Sequence, residues 1–224
     1  MISHNSSAVA AFNNTYKYNN ISQLLILCAT FAYASSFCID WQTRFAFSVT
    51  IRSGKNSYAL SKCVAASVAG GTAVAIGAAL FISYICVTQP SILPKAIEIE
   101  NEFSYQAFGD LLMQGKPSLF FLSYIYIIFL QASFFSSLGL TLSAYIPNRY
   151  VAYISPFCLC FMFNQVSNVF EIPIWLDPMR LAAAKVYYAS TSAIIGITTA
   201  TFISLTAICN LLFICTVKRR IANG

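Results

Sequence analysis

Residues 51–62 read IRSGKNSYALSK and place Arg52, Lys55 and Lys62 within twelve positions. Gly54–Lys55 with a hydroxyl residue close behind suggests phosphate-loop chemistry, in which backbone N–H groups and a lysine gather around an anion. The full pattern also needs a glycine five residues before the Gly-Lys pair and a Ser or Thr directly after it. Val49 and Asn56 occupy those positions. Nucleotide binding by this segment is rejected.

Other reactive chemistry is scarce. Histidine occurs once, as His4 in a polar stretch, and no Asp, Glu, Lys or Arg falls in the middle of an apolar run. General acid–base catalysis and proton relays need such groups inside the membrane. A serine nucleophile would lack an activating partner. The chain reads as no enzyme, with no catalytic, cofactor-binding or metal-ligating residues. Its eight cysteines lie in or at the ends of apolar runs without a C-x-x-C pair, which suits helix packing.

The elements carrying these residues are set by composition. The chain has 224 residues, 58% hydrophobic and only 9% charged, with a mean hydropathy of +0.69. Soluble domains are about a quarter charged, so this surface is too poor in charge to face water all round. The net charge of +6 is therefore read by position along the membrane normal, and no nucleic-acid partner is expected. Five apolar runs reach the roughly 20 residues that cross a bilayer: 21–39, 63–87, 118–146, 150–170 and 189–217. Backbone groups in lipid must be satisfied internally, and the alternation of a barrel is missing. An all-α, polytopic helical membrane protein is expected.

Orientation follows from Lys and Arg. Arg44, Arg52, Lys55 and Lys62 in the 41–62 connection, Arg149 in the next turn on that side, and Lys218, Arg219 and Arg220 in the tail share one side with Asp40. The other side carries Lys17, Lys95, Lys116, Arg180 and Lys185, outnumbered by six acids. The basic side is expected to be cytoplasmic. That gives a polar extracytoplasmic segment 1–20 without the apolar core of a secretory signal, a transmembrane domain 21–217, and a basic cytoplasmic tail 218–224.

Within the spans, Ala65, Ala69, Ala73 and Gly77 recur every four residues, with Ala66 and Gly70 alongside, and Ala132, Ser136, Gly139 and Ser143 repeat the device. Small residues let helices approach closely in lipid, within one chain or between subunits. The mid-span polar groups are neutral: Gln131, Asn164, Gln165, Thr198 and Thr201 among them. They either bond to neighbouring helices or line a path for an amphipathic solute. Pro173, Trp175 and Pro178 mark the outer boundary, as an interface anchor or as a lid over an outward opening.

The 41–62 connection is longer than the two to eight residues a bare turn needs. Trp41, Phe45 and Val49 recur every four residues as on an interfacial helix, Ser53 and Gly54 supply a break, and Ser57 is placed to cap the next helix. Three basic residues near the bilayer centre would cost on the order of 8–10 kcal/mol, so the segment is a structured, water-facing elbow.

DWQTRFAFSVTIRSGKNSYALSK, residues 40–62, resembles the cytoplasmic connection of permease subunits in the type-2 ATP-binding-cassette exporter family. The matching positions are Arg52, Ser53, Gly54, Lys55, Tyr58, Ser61 and Lys62. SAYIPNRYVAYISP at 143–156 and IPIWLDP at 172–178 are similar to that family's last two spans and outer helices. The resemblance implies a permease whose Trp41, Arg44, Arg52, Gly54, Lys55, Tyr58 and Lys62 couple to a separate cytoplasmic ATPase. ATP and magnesium would bind that partner, and a second permease copy or a sister permease would complete the channel. The expected setting is the lipid bilayer of a bacterial plasma membrane. The family has six spans; the one without a counterpart here is its first. The competing expectation is a non-transporting accessory or immunity-type membrane protein that uses the same bundle to bind a partner.

Overall fold

The computed structural model describes residues 7–18, 21–89, 107–170 and 190–223. No strand occurs among the described residues. The helices are α1 (Ala8–Asn13) running into a π-helical turn (Asn14–Tyr18), α2 (Ile21–Tyr33), α3 (Ser36–Gln42), α4 (Phe45–Ser53), α5 (Lys55–Thr88), α6 (Gly109–Met113), α7 (Pro117–Tyr145), α8 (Arg149–Val169) and α9 (Thr191–Asn223).

Among the described residues, four stretches are long and apolar enough to cross a membrane: Leu24–Gln42, Lys55–Thr88, Pro117–Tyr145 and Thr191–Ala222, with mean hydropathy of 1.6, 1.9, 1.8 and 2.0. This is consistent with a multi-pass membrane protein. The expected fifth span, 150–170, forms α8, which at 21 residues is long enough. It is not among the four apolar stretches, because Pro156, Asn164 and Gln165 dilute its hydropathy.

The first of the four is not one helix. It bends at Ala34–Ser35, between α2 and α3. Two hydroxyl contacts hold that bend on α8: Thr30 Oγ1 donates to the Tyr153 carbonyl at 3.1 Å, and Tyr153 Oη donates to Ser35 Oγ at 2.7 Å.

Helix α7 is the centre of the bundle. Of its most apolar stretch 61% is buried, against 39%, 28% and 22% for the other three. Helices α5, α9, α2 and α8 all pack on it. A helix apolar on every side belongs in such a place.

The α5–α7 contact rests on small residues, but not on the stripe that recurs every four positions. Gly70 and Gly71 are buried against α7, whereas Ala73 and Gly77 face outward. A Cβ at Gly70 would collide with Ser136, and one at Gly71 with Ser133 and Phe129. Hydroxyl bonds run along the seam: Ser136 Oγ to the Ala66 carbonyl at 2.8 Å, and Ser67 Oγ with Ser137 Oγ at 2.8 Å. Thr141 Oγ1 continues it to α9, donating to the Cys209 carbonyl at 3.0 Å.

The N-terminal segment is more than a polar tail. Ser7 caps α1, its Oγ accepting from the Ala10 amide. Val9, Phe12 and Tyr16 are buried, and Phe12 meets Phe121 and Tyr124 edge-on at 5.8 and 5.1 Å. Burial pushes the Tyr16 phenol above its ordinary pKa, since the anion would lose its hydration there. This segment sits beside the start of α7, at the end of the bundle opposite the elbow.

Candidate functional site

The elbow is two short helices folded back against the start of α5. Helix α3 stops at Gln42, and the chain turns through Arg44, whose backbone is left-handed at φ 58°. Trp41 and Phe45 therefore do not share one helix, contrary to the four-residue spacing. Instead Trp41 lies between Phe37 and Phe47, with ring centroids at 5.8 and 5.2 Å. These contacts stabilise the turn against the cost of a positive φ.

Helix α4 ends at Gly54, which takes φ 81° and ψ 151°. Only glycine accepts that backbone region readily, so the expected break is present. The expected cap is not. Helix α5 begins at Lys55 with Gly54 at its N-cap and no side-chain cap bond, so Ser57 is already inside the helix. Lys55, Tyr58 and Lys62 therefore belong to the first two turns of α5 rather than to a loop.

One carboxylate organises the site. Asp40 Oδ2 accepts from Tyr58 Oη at 2.6 Å and pairs with Lys62 Nζ at 2.8 Å. The Lys62 ammonium also lies 5.3 Å from the Tyr33 ring centroid and 5.9 Å from that of Tyr58. Both partners of the ion pair are shielded, with side chains 15% and 13% exposed. The network ties α3 to the first turns of α5 across the whole of α4.

The ends of α7 and α9 join the same face. Arg220 donates from Nη2 to the Tyr145 carbonyl at 2.6 Å, satisfying a carbonyl at the end of α7, and its guanidinium lies 5.4 Å from the Trp41 ring. Arg149 donates to Gln42 Oε1 at 3.3 Å, and Gln42 Nε2 donates to the Pro147 carbonyl at 3.5 Å. The three basic segments of the sequence thus meet at one end of the bundle.

The seven expected coupling residues separate into two groups. Trp41, Tyr58 and Lys62 turn inward and hold the elbow. Arg44, Arg52, Gly54 and Lys55 are exposed and form its outer surface. The organising residues absent from the expected set are Asp40, Gln42, Tyr33 and Arg220. A lone acid among eight cations was the available signal for Asp40.

The expected path-lining residues are dispersed. Gln131 is buried in the centre of α7 and Thr198 is buried on α9, bonded to the Ile194 carbonyl at 2.6 Å. Thr201 bonds to Ile197 in its own helix at 2.8 Å. On α8, Asn164 is half-buried and Gln165 exposed. Pro173, Trp175 and Pro178 lie outside the described residues. Comparison of the chain with known protein families, curated proteins and solved structures finds no match.

Neither amide atom of Gln131 has a hydrogen-bond partner among the described residues, although its side chain is 1% exposed. An unpaired buried amide costs about 1–3 kcal/mol. Leucine at 131 is accordingly expected to raise the midpoint of thermal unfolding in detergent by several degrees. A lower midpoint would mean that the amide is satisfied in the folded protein.

Proposed function

We propose that this chain is the permease subunit of an ATP-binding-cassette exporter, with the elbow α3–α4 as its contact for a separate cytoplasmic ATPase. The observation that carries this reading is the lock at Asp40. A connector needs no internal ion pair, aromatic stack or tie to two other helix ends; a lever that transmits force does. Arg44, Arg52 and Lys55 are exposed on the outer side of that lever, where a partner can reach them. In this reading the basic end faces the cytoplasm, the N-terminal segment faces outward, and a second permease copy completes the path in a bacterial plasma membrane. ATP and magnesium belong to the partner. Closure of the ATPase biases the bundle between two states through differential contact with the elbow.

The dispersal of Gln131, Asn164, Gln165, Thr198 and Thr201 favours a second reading, a non-transporting membrane protein that uses the same basic face to bind a partner. One experiment separates them. The tagged chain is purified from native membranes in mild detergent, and the eluate is assayed for magnesium-dependent ATPase activity. The permease reading expects activity in the eluate, reduced at least tenfold by the Arg52→Glu/Lys55→Glu variant. No activity with the unaltered chain overturns the permease reading in favour of the second. Activity that the double variant retains removes the elbow from the coupling.

A further inference from the structure

The last turns of α9 present two kinds of surface. Phe213, Val217 and Arg220 turn toward the bundle, where Phe213 and Val217 are fully buried and Arg220 holds Tyr145 and Trp41. The opposite face carries Ile208, Leu211 and Leu212, which are 53%, 62% and 46% exposed. At helical spacing this apolar stripe continues through Cys215, also exposed, directly into Lys218 and Arg219. Both cations are exposed, and neither has an acidic partner among the described residues. The described acid at this end of the bundle, Asp40, is engaged by Lys62. Tyr145, 51% exposed, stands beside the same turn, its carbonyl held by Arg220.

We propose that Lys218 and Arg219 seat the headgroup of an anionic phospholipid whose acyl chains lie along Ile208, Leu211 and Leu212. The occupant must be apolar over one part of the helix face and anionic over the next. An amphiphile with a phosphate headgroup has both halves in the right order; an acidic protein matches only the cations. Basic residues just beyond a membrane helix attract anionic lipid in this manner, and an exposed tyrosine suits the headgroup level. This site is separate from the outer surface of the elbow and does not depend on the proposed ATPase contact.

The test uses the full chain in nanodiscs of phosphatidylcholine doped with phosphatidylglycerol of the same acyl length, with retained lipid counted by mass spectrometry. Two cations near the membrane surface correspond to a preference for the anionic lipid on the order of thirtyfold. That preference should fall severalfold in Lys218→Gln/Arg219→Gln, survive in Lys218→Arg/Arg219→Lys, and weaken with added salt. The thermal midpoint of each variant in pure phosphatidylcholine serves as the check on folding. Equal retention of the two lipids, or an unchanged preference in the glutamine variant, overturns the proposal. So does displacement of phosphatidylglycerol by free glycerol phosphate at equal concentration, which would show that the chains contribute nothing. Displacement by poly-glutamate that is lost in the glutamine variant would assign the face to an acidic protein instead.

Discussion

Leucine in place of Gly70 is expected to abolish the folded bundle. Three helices meet at that position. A Cβ built on Gly70 collides with the Cβ and Oγ of Ser136 on α7 and comes within 3.2 Å of the Ala29 carbonyl oxygen on α2. Ser136 cannot easily retreat, because it is buried and bonded to the Ala66 carbonyl at 2.8 Å. Alanine at Gly70 should cost about 1–3 kcal/mol, the usual penalty of overpacking. Leucine adds three further carbons where none fit, and the loss approaches the whole stability of a typical domain, roughly 5–15 kcal/mol. Gly77 supplies the control on the same helix: a Cβ there meets nothing within 4 Å, so Gly77→Ala should be neutral or slightly stabilising through helix propensity. The measurement is the fraction of monodisperse protein surviving a heating series in detergent. Ser136→Gly should restore most of the loss in Gly70→Ala, short of about 1 kcal/mol for the missing hydroxyl bond. Equal survival of the Gly70→Leu and Gly77→Ala proteins would show that α5 and α7 do not pack through Gly70.

The small-residue spacing announces that α5 packs closely on something, and of its two lines Ala66–Gly70 meets α7 whereas Ala73 and Gly77 face outward. Ala65, Ala69, Ala73 and Gly77 and the pair Ala66–Gly70 lie about 100° apart on the helix, and a periodicity within one helix does not say where its neighbours stand. The long apolar runs were legible for a simpler reason: length and hydropathy are properties of a segment alone. Helix α8 shows where that stops, since Pro156, Asn164 and Gln165 leave its length intact while lowering its apolarity. Gly54 was readable as a break because backbone permissiveness belongs to the residue itself. The turn at Arg44 was not, because arginine has no preference for a positive φ and the turn is held by contacts of Trp41 with Phe37 and Phe47. In the N-terminal segment, Asn and Ser dominated the composition and hid a helical pattern in Val9, Phe12 and Tyr16. That signal was present and could have been found. The Asp40–Tyr58 and Asp40–Lys62 contacts join residues eighteen or more positions apart. No local period links them, and only the fold brings them together.

Removing the carboxylate of Asp40 tests whether that network holds the elbow. Asparagine keeps the shape but loses the charge, leaving Lys62 with little access to water and Tyr58 with a weaker acceptor. Breaking one side of a shielded ion pair costs roughly 3–5 kcal/mol where the remaining charge stays buried. The Tyr33 and Tyr58 rings beside Lys62 offset part of this, so about 2–4 kcal/mol is expected for Asp40→Asn. Lys62→Met should cost less, because the carboxylate keeps its bond from Tyr58. The double variant Asp40→Asn/Lys62→Met leaves no unpaired charge and should recover to within about 1 kcal/mol of Lys62→Met alone, a coupling that a double-mutant cycle reads directly. A change of stability alone would not show that the elbow moves. Hydrogen exchange supplies that: the amides of Phe45–Ser53 should exchange at least tenfold faster in Asp40→Asn, while those in the middle of α5, which bond within a long continuous helix, keep the unaltered rate. Added salt should change neither result much, since a shielded pair is screened far less than exposed charges such as Lys218 and Arg219. If α4 exchanges as slowly in Asp40→Asn as in the unaltered protein, the aromatic contacts of Trp41 hold the elbow by themselves. The ion pair would then be a local contact between α3 and α5, and the elbow would lack the rigid link that transmits force.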